Sequence, residues 1–187
     1  SGVIMGAGAS DCSGRQAFCR AVEKGDLTAV KAQVEGIGKL DFRESQTGYP
    51  PLMIASLVGT GDYYDIAHLL LQEGAEVDQE DAKGNTSLFM AALGGHADLV
   101  RLLIRHGANV NHETKEGFTP FYAACWRNRL QVAKILIKAG AKVTHTAPDG
   151  TNALSIAKEW SSDEVVEYLT TALQMKEEPK TERHKGA

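Results

Sequence analysis

Thiols, imidazoles and one glycine-rich stretch are the residues of this chain that could do chemistry. Cys12, Cys19 and Cys125 are odd in number and show no paired spacing, which argues against a disulfide framework or a zinc cage. They read as reduced thiols, with Cys19 and Cys125 expected to pack rather than react. "HETKE" from His112 lacks the second histidine that a zinc-protease helix needs at H-E-x-x-H spacing. His96 and His106 stand next to glycines, where helix ends are expected, and a histidine at a helix C-terminus suits its negative end. "MGAGASD" contains G-x-G, but a dinucleotide loop must follow a strand, and nothing before Met5 is long enough to be one. No phosphate loop occurs, no Ser, His and acidic set can be assembled, and the carboxylates are spread as a solvated face. A net charge of −4 and a pI near 5.9 give no basic face for nucleic acid. The expectation is a protein without catalytic residues, cofactor or metal.

The elements that must hold these residues are repetitive. "LLLQEGAEVD" at residue 69, "LLIRHGANVN" at 102 and "ILIKAGAKVT" at 135 start 33 residues apart, a period that signals stacked supersecondary units. Gly48, Gly84, Gly117 and Gly150 open successive units, the first gap being three residues longer than the others. Helix-start signals follow at "PPLMIA", "TSLFMAA", "TPFYAAC" and "NALSIA". Thr86, Thr119 and Asn152 can cap a free N–H of the first turn, while Pro51 and Pro120 sit where a missing N–H costs nothing. A second helix is predicted from near Asp62, Gly95, Asn128 and Ser162, and Gly74, Gly107 and Gly140 are placed to end it in a left-handed turn.

"DAKGNTSLFMAALGGHADLVRLLIRHGANVN", residues 81–111, and "TPFYAACWRNRLQVAKILIKAGAKV" resemble ankyrin repeats almost position by position. The resemblance covers residues 15 to about 173 and implies an all-α solenoid of helix-turn-helix units joined by β-hairpin-like turns. It divides the chain into a flexible leader, 1–14, units at 15–47, 48–83, 84–116, 117–149 and 150–173, and a charged tail, 174–187, expected to be disordered. The outer units carry polar residues such as Lys24, Lys31, Glu164 and Glu167, as end caps of a solenoid must. The histidine of the family's T-P-L-H is replaced by Met53, Phe89, Tyr122 and Ser155, so the stack is expected to lean on apolar packing.

Repeated residues build such a scaffold, and the unrepeated ones are left to carry specificity. The resemblance implies a non-enzymatic adaptor or scaffold that binds another protein on a concave face of hairpin tips and inner helices. A monomer is expected. An inhibitor or regulatory subunit of a partner enzyme is the alternative. Carried over by alignment, the candidate partner-binding residues are Tyr49, Lys83, Asn85, Leu93, Lys115, Phe118, Trp126, Arg127 and Trp160. Aromatic and Arg residues dominate binding energy at interfaces. For Trp126 the competing reading is packing over Gly94. The extra residues of unit two, at "LVGTGDYYD", read first as a tolerated surface insertion.

The leader adds a second idea. If Met5 is the native initiator, "MGAGAS" matches M-G-x-x-x-[ST], with Gly6 as myristate acceptor. A single acyl chain anchors only marginally, and Cys12 is placed to supply a second as a palmitate site. The expected location is cytoplasmic, peripheral at a membrane if acylated.

Overall fold

The computed structural model describes residues 7–44, 46–59, 61–160 and 162–177. Among them are ten helices and no β-strand, with one isolated antiparallel bridge between Thr146 and Asn152. The helices come in pairs: α1 (Ala7–Glu23) with α2 (Leu27–Ile37), α3 (Pro51–Val58) with α4 (Tyr63–Gln72), α5 (Ser87–Gly94) with α6 (Ala97–Arg105), α7 (Pro120–Trp126) with α8 (Leu130–Lys138), and α9 (Ala153–Glu159) with α10 (Asp163–Glu177). Odd-numbered helices stack on one another in one layer and even-numbered helices in a second, so the molecule is an all-α repeat solenoid.

Local chemistry starts the inner helices where the spacing predicts. The hydroxyls of Thr86 and Thr119 accept from the N–H of Phe89 and Tyr122, and Asn152 forms a reciprocal capping box with Ser155. Each such cap contributes about 1 kcal/mol. The inner helices are packed on several sides and are accordingly apolar nearly all round: Leu88 through Ala92 and Phe121 through Cys125 are buried without interruption. Outer helices are one-sided, as in α6, where Leu99, Val100, Leu102 and Leu103 are buried while Arg101 and Arg105 face water.

Two boundaries differ from the sequence expectation. α1 begins at Ala7, so the division expected after residue 14 falls inside a helix, and α10 runs to Glu177, beyond residue 173. Cys12 falls within α1, while Gly6 lies outside the described residues. No helix among the described residues is long and apolar enough to cross a membrane.

Candidate functional site

Four tight turns precede the inner helices, each closed by the same pair of backbone bonds. The N–H of Glu44, Asp81, Thr114 and Ala147 donates to the carbonyl of Tyr49, Asn85, Phe118 and Thr151, and the N–H of Gly48, Gly84, Gly117 and Gly150 donates back to the first residue of its turn. Buried carboxylates stiffen two of them. Asp81 Oδ1 accepts from the N–H of Lys83 and of Asn85 at 2.8 Å, and its Oδ2 accepts from Asn85 Nδ2 at 2.8 Å. Glu44 takes the N–H of Gln46 and Thr47 in the first turn. The tips are therefore preorganised, which lowers the ordering cost of binding anything there.

The turns are also tied to one another. His112 Nε2 donates to Gly84 O at 3.0 Å and lies 3.5 Å from Glu80 Oε1. One period on, His145 Nε2 donates to Gly117 O at 2.9 Å, with its Nδ1 3.7 Å from Glu113 Oε1. Lys115 adds its N–H on Lys83 O and its Nζ on Ala82 O. The stack leans on apolar packing as expected, and polar links between units add to it. The polar link between units survives the loss of one histidine because histidines at a different repeat position supply it.

A second series of contacts runs along the opposite side, between the end of each inner helix and the start of the next outer helix. Tyr63 Oη donates to Glu23 O at 2.6 Å, His96 Nε2 to Leu57 O at 3.2 Å, and Arg129 Nε to Leu93 O at 3.4 Å. The three donors recur every 33 residues, and each satisfies a carbonyl that the helix end leaves without an intrahelical partner. Each also lies over a glycine in the left-handed region. A Cβ at Gly25 would stand 3.0 Å from the Tyr63 ring, one at Gly59 2.1 Å from the His96 ring, and one at Gly95 2.6 Å from Arg129 Cδ. Gly59 is the counterpart of Gly95 in its unit, so the extra residues of unit two follow it in the sequence. Sequence reasoning missed this seam, although the constant spacing of Tyr63, His96 and Arg129 was a signal for it.

The next step of the series breaks the pattern. Asn128, at φ 53, is the one non-glycine residue with positive φ among the described residues, and buried Ser162 stands where the long donor would be. Trp126 and Trp160 close the gap instead, edge to face with ring centroids 6.0 Å apart, and the guanidinium of Arg127 lies 5.4 Å from the centre of the Trp126 ring.

Against this geometry the sequence candidates separate. Trp160 is 58% exposed, and the large hydrophobic residues exposed with it are Leu57 and Val58, at the corresponding inner-helix end three repeats away. Lys83 and Arg127 are exposed as expected. Leu93, Tyr49, Phe118 and Trp126 are half-buried. Phe118 stacks on buried Tyr122 at 4.5 Å, because the missing histidine leaves a space that two flat rings fill. The nearest atoms to a Cβ at Gly94 belong to His96, so it is His96 that packs over this glycine. Asn85 and Lys115 spend their polar groups on the turns, as described above.

The thiols have the wrong protonation state for nucleophiles. Cys19 and Cys125 are buried, and burial pushes both up to about 12, with Glu44 and Glu23 adding to the effect at Cys19. No group of three or more metal-ligating side chains occurs among the described residues. Electrostatically the surface is divided. Burial raises the Tyr122 hydroxyl, with nearby Asp149 and Glu159 reinforcing the shift, whereas Arg127 and Arg129 flank the turn after α7.

The described residues form a stacked array with a preorganised row of turns and apolar residues exposed at the ends of α3 and α9. Curated proteins offer no match to the chain. A family model for ankyrin repeats in three copies matches residues 52–147, just over half of the length, and the chain belongs to the ankyrin-repeat family, whose members serve as protein-interaction modules.

Proposed function

We propose that this protein is a non-enzymatic adaptor or scaffold that holds a partner protein on the surface formed by its turns and inner-helix ends. One observation carries the reading: Leu57, Val58 and Trp160, the large hydrophobic residues left exposed among the described residues, all lie at the C-terminal ends of inner helices. Scattered exposure of single apolar residues is normal and needs no explanation, but exposure confined to the same end of the inner helices in an otherwise well-buried array does. Rigid turns and half-buried rings beside those ends keep the ordering cost low.

A photo-crosslinking amino acid placed singly at Leu57, Lys83 or Trp160 tests this in cells, with Arg101 and Lys138 on the outer helices as controls. Covalent partner adducts are expected from the first set and not from the second. Adducts formed equally or preferentially at the outer helices would sink the assignment. Tethering at a membrane through Gly6 belongs to the same proposal and rests on "MGAGAS" alone. Mass spectrometry of the protein from cells tests it, an unmodified Gly6 terminus ruling it out.

A further inference from the structure

We infer that the Trp126–Trp160 end of this surface is a docking site for an acidic segment of the partner, in which a bulky apolar side chain is flanked by carboxylates. The inference deepens the interaction reading above and rests on it. Trp160 offers an exposed face, and Trp126 backs it edge-on at 6.0 Å, so the pair forms an aromatic ledge for an apolar anchor.

The charge around that ledge selects the rest of the ligand. Arg127 and Arg129 are both exposed, and neither has a carboxylate within ion-pair distance among the described residues. Two uncompensated guanidiniums three residues or fewer from Trp126, in a chain of net charge −4, are a local cationic feature rather than a reflection of composition. Arg127 is already held over the Trp126 ring, and Arg129 is held by its Nε on Leu93 O, so less side-chain freedom is lost when a carboxylate arrives. Asn128 takes a left-handed conformation between them, the kind of tolerated strain that is concentrated at binding turns. Glu159, which precedes Trp160 at the end of α9, is the acid of this surface and acts with Asp149 on Tyr122, so the positive charge lies on the α7 side of the ledge. An acidic ligand is thus directed to the turn after α7, and a basic one is repelled from it.

A random peptide library displayed on phage, panned against the full chain, supplies the probe. Synthetic copies of the enriched peptides are then titrated by tryptophan emission, since both tryptophans of the chain lie in the site. Enriched peptides are expected to carry Asp or Glu beside a bulky apolar residue and to shift the emission. Their affinity should fall roughly tenfold in Arg127→Glu and further in the Arg127→Glu/Arg129→Glu double variant, weaken with added salt, and be largely kept in Arg127→Lys. Circular dichroism melts of each variant confirm that it is folded. Peptides that lack carboxylates, or that bind the folded glutamate variants as tightly as wild type, overturn this inference and leave the interaction surface standing. A library that yields no peptide dependent on Trp126 and Trp160 overturns both.

Discussion

The junctions between the first four helix pairs and the junction between the last two are closed by different chemistry. At the former, Tyr63, His96 and Arg129 each reach back across a left-handed glycine to a carbonyl at the end of the preceding inner helix. At the latter, Asn128 replaces the glycine, Ser162 replaces the long donor, and two tryptophans meet instead. A polar stitch commits part of its side chain to the backbone of the preceding unit. An aromatic seam fills the same space and keeps one ring face open. The difference teaches that a repeat can be stabilised at some junctions and functional at another without any change of fold.

The sharpest way to break that comparison is to change the left-handed residue at both kinds of junction. Gly59 has φ +65, and a Cβ there would stand 2.1 Å from the His96 ring. Gly59→Ala must displace the ring, forfeit its bond to Leu57 O and hold alanine in a strained conformation, so it is expected to cost about 2–3 kcal/mol. Asn128→Gly makes the opposite change, relieving strain while loosening the unfolded chain, and is expected within about 1 kcal/mol of zero. Urea unfolding midpoints of the two variants measure the contrast. Similar losses at both positions would mean that the junctions are not distinct.

How much of this was legible beforehand follows from which contacts lie within one unit. The helices, the turns and the caps at Thr86, Thr119 and Asn152 depend on neighbours a few residues away, and a 33-residue period exposes them directly. The seam depends on residues of different type in different units. Tyr63, His96 and Arg129 share a spacing but no chemistry until the carbonyls opposite them are known. The same limit hid the polar links between units: one repeat position showed a histidine missing, and His112 and His145 supply such a bond from another position. For Phe118 and Trp126 the repeat pattern locates the position and not its neighbour, and their neighbours are Tyr122 and Trp160.

The hairpin side sharpens the comparison with a smaller effect. His112 and His145 make near-identical bonds at two consecutive junctions, one on each side of the change in seam chemistry. If only the other side differs, His112→Ala and His145→Ala should each cost about 1 kcal/mol, the usual net worth of such a bond. Unfolding midpoints that agree between the two variants place the whole difference at the helix ends. A clear inequality would spread it across the full width of the junction.

The smallest effect on stability is expected where the effect on binding is largest. Trp160 is 58% exposed and ends its helix, so Trp160→Ala removes an edge contact with Trp126 but opens no cavity in the core. A loss below about 1 kcal/mol is expected, because most of the ring's apolar area is already in water and little of it is gained on folding. Trp126→Ala should cost more, since Trp126 is half-buried and packed against the core. The pair of variants therefore separates the two roles that the tryptophans combine. If Trp160→Ala destabilises the array as much as Trp126→Ala does, Trp160 is a structural plug like His96 or Arg129, and the last junction is a stitch made of different material. If it melts within a degree or two of wild type and loses the crosslinked partner, the open ring face is what distinguishes this junction from the others.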